Sequence, residues 1–297
     1  MSGLKDLLSA QLYLIGWKIV QILPEKVAYR LFEKLGKVFY NRNGKSVRRL
    51  RSNLQVVSPA LSTKELEEIV IRGISSYFRY WCDTFRFPGW SIEKIKNTVK
   101  VSNEHLLKDP VAAGTGVIVA LPHSGNWDHA GAYFCAQGIP LVSVAERLKP
   151  EKLFQKFLTY RRAIGMEILP LDGNTLPTLS DRLNEGKLIA LVADRDFSKS
   201  GVEVDFFSKK AKMPIGPAVL SLRTGAPLIT AQVSYNPTGI QIDFLGPLTP
   251  RIQGSLEDRA KDLVQQCADN FEKGISKNPA DWHMLQRIWI ESEVSNG

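Results

Sequence analysis

The chain has 297 residues, 44% apolar and 23% charged, ordinary values of a globular protein that argue against a disordered chain. Its 39 basic and 30 acidic residues leave a net charge of +9, which favours nucleic acid, anionic lipid or a phosphorylated ligand without choosing among them. Cys82, Cys135 and Cys267 are far apart and odd in number, each in an apolar helical pattern, so they read as reduced core residues and not as a disulfide framework or metal site.

Leu4, Leu8, Leu12, Ile15, Ile19 and Ile22 form an apolar stripe at helical spacing, with Tyr13 and Trp17 beside it. The longest uncharged run there, Leu7 to Trp17, has 11 residues, too few to cross a hydrocarbon layer about 30 Å thick. The positively charged start and small-residue cleavage site of a signal peptide are missing. Such a helix either packs on the core or lies in a membrane interface, and the stripe fits both. Pro24 opens a second amphipathic helix, with Val27, Leu31, Phe32 and Leu35 on one side and Lys26, Arg30, Lys34 and Lys37 among its polar residues. The run from Arg42 to Arg51 then holds five cations (Arg42, Lys45, Arg48, Arg49, Arg51) and no acid. It suits an anionic membrane surface, at about 1 kcal/mol per cation near the lipid, while a solvated face and nucleic acid are the other readings. It is no phosphate-binding P-loop, because Phe39 stands where the first glycine is required.

Ser62 and Glu65 form a capping box that opens a long helix with Leu66, Ile69, Val70, Tyr77, Phe78, Trp81 and Phe85 on its apolar face, and Pro88-Gly89 stops it. From about Val101 short apolar runs alternate with helical segments. Strands are expected at Val117 to Leu121, Pro140 to Glu146, Glu167 to Leu171, Leu188 to Asp194, Val202 to Phe207, Leu228 to Ser234 and Ile240 to Leu245, with helices near 151 to 164, 175 to 185 and 214 to 224. That order specifies an α/β fold: a central, mostly parallel β-sheet flanked by α-helices, with residues 1 to 100 as a helical layer on the same domain. No repeat, low-complexity tract or linker divides residues 1 to 297, so a single domain is expected.

Val117 to Leu121 is a continuous apolar, β-branched run, the mark of a strand covered on both faces. Pro122 and Gly125 break it, and Asn126 caps a helix running to about Ala136, which puts His123 in the strand-to-helix loop and Asp128 in the helix's first turn. In an unbroken helix residues five apart lie about 140° around the axis, so the loop must fold back if the two side chains are to meet. A carboxylate on one imidazole nitrogen would leave the other facing the crevice at the strand's carboxyl end, where α/β sheets bind ligands. The alternative is a loop histidine and an acid that merely favours its helix dipole. A metal cluster of His123, Asp128 and His129 is disfavoured, since adjacent helical residues point about 100° apart.

Other strand ends carry charge. Glu146 and Arg147 end one, and Asp194, Arg195 and Asp196 end another, where three charges are costly to bury unless paired or functional. Arg161 and Arg162 stand near a helix end, as phosphate clamps or as dipole partners. No G-x-S-x-G elbow exists and no cysteine sits near a histidine in a nucleophile motif, so a working His123 would activate a substrate's own hydroxyl.

H-S-G-N-W-D (123–128), V-A-E-R-L-K-P (144–150), Y-R-R-A-I-G-M-E-I-L-P-L (160–171), A-D-R-D (193–196), V-D-F-F (204–207), G-P-A-V-L-S-L-R-T-G-A-P-L (216–228) and P-A-D-W-H-M-L-Q (279–286) resemble, in order, the bacterial lipid A late acyltransferase family, and within it the phosphatidylinositol mannoside acyltransferases. The resemblance implies a glycerolipid-acyltransferase-like fold. It also implies transfer of a long acyl chain, usually palmitoyl, from acyl-CoA to a mannose hydroxyl of phosphatidylinositol mannosides at the cytoplasmic face of the plasma membrane. His123 and Asp128 match the family's catalytic H-x-x-x-x-D. Asp194 falls where a catalytic acid is placed, which in some relatives is Glu; Glu146, Arg161 and His283 match positions near the sugar and phosphate acceptor, and Arg195 adjoins them. No cofactor, metal or nucleic acid is implied, acyl-CoA is the co-substrate, and a monomer is expected. Against a lipid acceptor, residues 1 to 60 are expected to face an anionic membrane surface, and Lys199, Lys209, Lys210 and Lys212 either meet CoA phosphates or are simply solvated.

Overall fold

The structure, a computed structural model, describes residues 16–145, 151–171, 174–198 and 201–290, without the side chains at 152 and 153. Glu146, Arg147, Lys199 and the stripe before residue 16 lie outside the described residues.

Seven strands form one sheet in the order β1-β9-β8-β2-β5-β3-β4, with β1 at Val99–Ser102, β2 at Val117–Leu121, β3 at Leu141–Ala145, β4 at Met166–Pro170, β5 at Leu188–Val192, β8 at Leu228–Tyr235 and β9 at Ile240–Leu248. Every pairing is parallel except β8 with β9. All five residues of β2 are buried because helices cover both faces. Val117, Val119 and Leu121 face α5 (His105–Ala112) and α6 (Trp127–Cys135), while Ile118 and Ala120 face α8 (Thr175–Asn184), α9 (Gly216–Thr224) and α10 (Leu256–Lys277). The strand expected at 202 to 207 is not part of this sheet. It is β6 (Val202–Phe206), paired only with β7 (Lys209–Met213) in an antiparallel hairpin whose buried Val204, Phe206 and Ala211 join the core on the Ile118 and Ala120 face of the sheet.

The helical layer holds α1 (Glu25–Asn41), α2 (Lys45–Val57), α3 (Thr63–Arg86) and α4 (Ile92–Asn97). Ser62 and Glu65 make the expected capping box of α3. Of the expected apolar side of α1, only Phe32 docks. Ala28, Phe32 and Gly36 are buried, while Val27, Leu31, Leu35 and Val38 are exposed. The small residues let the backbones approach, and a Cβ at position 36 would already touch Phe78 at 3.6 Å. Residues 16–22 are helical and split likewise: Trp17 and Val20 are buried, while Ile19 and Ile22 are open, the latter 76% exposed. The basic run is the start of α2, and Arg51 is not a free cation: it forms a two-pronged ion pair with Glu67. Among the described residues, no helix is long and apolar enough to cross a membrane.

Candidate active site

Register builds the centre of the site. β2 and β5 are parallel neighbours with Leu121 opposite Val192, and the Ala193 N–H bonds the Leu121 carbonyl at 2.8 Å, so the two chains leave the sheet side by side. Two residues beyond each strand stand His123 and Asp194. His123 Nδ1 donates to Asp194 Oδ1 at 2.6 Å, and the His123 backbone N–H donates to Asp194 Oδ2 at 3.0 Å. The same oxygen accepts the Trp282 indole N–H at 2.8 Å. Asp194 is fully buried. Burial pushes its carboxyl up, but the charge of His123 and the hydrogen bonds from His123 and Trp282 outweigh it and hold the pKa below the ordinary Asp range.

Gly125 permits the turn that follows. It has φ +59°, and a Cβ would meet the Val233 carbonyl at 2.7 Å, so no larger residue fits there. Asn126 then caps α6, accepting the His129 N–H at 2.9 Å.

Asp128 does not hold His123, which corrects the expected fold-back of the loop. Asp128 accepts from Arg161 Nε at 2.9 Å and Nη2 at 3.4 Å, and from the Tyr80 hydroxyl at 3.1 Å. The first turn of α6 carries this carboxylate round the axis toward α7 (Glu151–Ala163), while the ring of His123 is already engaged by the nearer acid. Burial works against the Arg161 charge, but Asp128 overcomes it and raises its pKa. His129 is separate again, bonding the Ile95 carbonyl and Thr98, with burial lowering it to about 4.

A cavity of about 860 Å³ opens at this point. His123, Asp128, Arg161 and Arg195 line its polar end, and it continues between α6 and the sheet past Gly131, Phe134, Met166, Ile242 and Phe244. Tyr80 stacks on Trp127 with ring centres 4.3 Å apart, and Trp127 meets His123 edge-on at 5.6 Å. Arg195 bonds Gln286 and lies over the Phe197 ring.

His283 does not line the cavity. It lies behind His123, donating its backbone N–H to the His123 carbonyl at 2.8 Å, with Nε2 on the Ser76 hydroxyl at 2.9 Å. Ser76 donates onward to Asp281 at 2.7 Å, so its oxygen accepts from Nε2, and Nδ1 finds no partner among the described residues. Burial, then the neighbouring His123, lowers this ring to about 3.

With Nδ1 engaged by Asp194, Nε2 is the ring nitrogen left for the cavity that His123 lines. The arrangement is an imidazole oriented by a buried carboxylate at the polar end of a largely apolar cavity. Trp282 and Tyr80 are polar partners that the sequence reading leaves unassigned. Both lie in segments it reads as packing or as a family block, and only the tertiary structure brings their donors to Asp194 and Asp128.

Residues 5–291 match the model of the family described as bacterial lipid A biosynthesis acyltransferase. The chain is 37% identical over 284 residues to the phosphatidylinositol mannoside acyltransferase of Mycolicibacterium smegmatis, covering 94% of this chain and 90% of that protein. It is 36% identical over 283 residues to the Mycobacterium tuberculosis protein of the same name, covering 94% and 87%. A lipid A biosynthesis lauroyltransferase of Escherichia coli is 25% identical over 276 residues, covering 91% and 87%. The chain belongs to the bacterial lipid A biosynthesis acyltransferase family.

Proposed function

We propose that the protein transfers a long acyl chain, palmitoyl in the first instance, from acyl-CoA to a mannose hydroxyl of a phosphatidylinositol mannoside. The observation that carries this reading is the His123–Asp194 pair set at the polar mouth of the 860 Å³ apolar chamber. A chamber of that volume and apolar lining suits an alkyl chain, and a histidine base suits an alcohol acceptor. The acceptor class comes from the names of the relatives at 36% and 37% identity.

In this mechanism His123 Nε2 takes the proton of the mannose hydroxyl as its oxygen attacks the thioester carbonyl. Asp194, ionised throughout, stabilises the imidazolium. The tetrahedral intermediate collapses with loss of the CoA thiolate, a good leaving group because thiols have pKa values near about 8.5 and sugar alcohols lie far higher. The imidazolium returns its proton to the thiolate, and no acyl-enzyme forms. Asp128 acts indirectly, fixing Arg161 at the chamber mouth. Arg161 and Arg195 face the acceptor, Glu146 is assigned to acceptor binding by the family resemblance alone, and His283 supports the catalytic loop from behind.

The protein acts as a single-domain monomer without cofactor, metal or nucleic acid, peripheral to the cytoplasmic face of the plasma membrane. The open apolar side chains Ile19, Ile22, Val27, Leu31 and Val38, flanked by Lys18, Lys26, Arg30 and Lys34, support this placement. Labelled palmitoyl-CoA with a panel of acceptors tests the reading. Transfer to mannosylated inositol lipid, abolished in His123→Ala, is expected. Preference for glycerol or glucosamine acceptors, or transfer only from an acyl carrier protein, would overturn the corresponding half of it.

A further inference from the structure

Beyond α10, residues 279–283 form a strap across the back of the catalytic loop. The Gly125 N–H bonds the Asp281 carbonyl at 2.9 Å, Ser124 and Trp282 pair as an antiparallel bridge, and the His283 N–H bonds the His123 carbonyl at 2.8 Å. The strap is itself clamped, because Asp281 accepts the Ser76 hydroxyl at 2.7 Å from α3 and the Tyr235 N–H at 2.8 Å from β8. Trp282 is fully buried, edge-on to Phe206 at 6.0 Å and beside Phe207 and Trp289 at 6.4 Å. Its indole N–H reaches out of this apolar nest to Asp194 Oδ2.

We propose that Trp282 is a positioning residue for the general base, fixing the Asp194 carboxylate in the orientation that meets His123 Nδ1 and drawing negative charge from it. The carboxylate receives three N–H donors, two of them from His123 itself, so the indole is the one donor of the three that the catalytic loop does not itself carry. Without it Oδ2 keeps only the backbone N–H, and the carboxylate gains freedom to rotate. It also becomes the stronger base, as expected when a buried anion loses a donor. A more basic Asp194 binds the imidazolium proton more tightly, so a larger share of the enzyme is protonated at a given pH. Other charged or titratable groups around the pair have partners of their own or are desolvated. Asp128 is matched by Arg161, Arg195 is turned to Gln286, His283 is held neutral by burial, and Asp281 is satisfied by Ser76 and Tyr235.

This inference rests on His123 as the base, and the experiment separates the two claims. In Trp282→Phe the packing ring is kept and the N–H is lost. The acid limb of kcat/KM is expected to move up by about 0.5 to 1 pH unit, and kcat on the plateau to fall about tenfold, with KM for donor and acceptor within about twofold of the parent. Phe206→Leu, which loosens the same nest without touching the N–H, is expected to lower the unfolding temperature and leave the acid limb in place. Should Trp282→Phe fail to fold, the benzothiophene analogue of tryptophan at position 282 removes the N–H at nearly constant shape. An acid limb that stays at the parent position in the folded variant, whatever happens to kcat, overturns the role of Trp282. Surviving turnover in His123→Ala overturns the underlying assignment instead.

Discussion

Asp194→Asn changes one atom at the most enclosed point of the site, and its effect follows from counting donors. The two carboxylate oxygens accept three N–H groups, and all three point inward. If the asparagine oxygen keeps the two donors on the Oδ2 side, its NH2 is left facing His123 Nδ1. Two donors cannot share that position, so the imidazole takes the opposite tautomer, with its proton on Nε2 and no lone pair toward the chamber. Reversing a catalytic histidine in this way lowers kcat about 10³- to 10⁴-fold, equivalent to about 4 to 5.5 kcal/mol of transition-state stabilisation. Asp128→Ala acts differently. It leaves the Arg161 guanidinium buried and unpaired, a defect that lowers stability by about 3 to 5 kcal/mol. Steady-state transfer of a labelled acyl chain and thermal unfolding, measured on both variants, separate the two roles. Asp194→Asn retaining more than about a tenth of parent kcat, with Asp128→Ala inactive at unchanged unfolding temperature, would make Asp128 and not Asp194 the partner of His123.

Gly131→Ala brings a Cβ to 2.2 Å from Met166 Cε and 3.3 Å from Leu141, and the flexible methionine end must swing into the chamber. The C16-to-C12 ratio of kcat/KM is therefore expected to fall about tenfold, the equivalent of losing nearly two of the four extra methylenes at about 0.8 kcal/mol each, and an unchanged ratio would place the alkyl chain elsewhere. His129 and His283 are lowered to about 4 and about 3. A histidine pKa below its unfolded value means that stability is full above about 6.5 and declines as pH falls, by about 2 kcal/mol for each ring between pH 6.5 and 5. Asp83 and Asp281, raised by burial, offset part of this loss at the acid end of the window. The urea midpoint reads the balance, and a midpoint that does not fall would contradict it. Replacing Val27 and Leu31 on the open face of α1 by Glu is expected to lower sedimentation with anionic vesicles while leaving turnover on detergent-dispersed acceptor intact. Equal sedimentation would dismiss that face. Strong chelator is expected to leave turnover unchanged.

Much of the sheet is legible because its strands are apolar, β-branched and bounded by Pro or Gly. The five-residue run of β2 coincides with the expected strand. β7 is not legible in K-K-A-K-M, whose exposed lysines and two inward side chains resemble a loop until β6 pairs with it. α10 does carry a signal, the Ser255–Asp258 capping box ahead of Leu263, Val264, Cys267 and Phe271, but its charged face dilutes the apolar pattern. His123 and Asp194 can each be read as charged or titratable groups at strand ends. Their contact cannot, because it depends on β2 and β5 being neighbours in the sheet, whereas proximity in sequence favours Asp128. The donors from Trp282 and Tyr80 are hidden for the same reason, since each arrives from a segment far along the chain.

The position of one proton on His123 decides whether the ring can act as a base toward the chamber, and nitrogen-15 NMR of the labelled histidine rings, with His123 assigned by its loss in His123→Gln, observes that proton directly. At mildly alkaline pH a protonated Nδ1 and a bare Nε2 are expected, reversing in Asp194→Asn and unchanged in Asp128→Asn. A proton on Nε2 in the parent, or a ring indifferent to Asp194→Asn, would contradict the account.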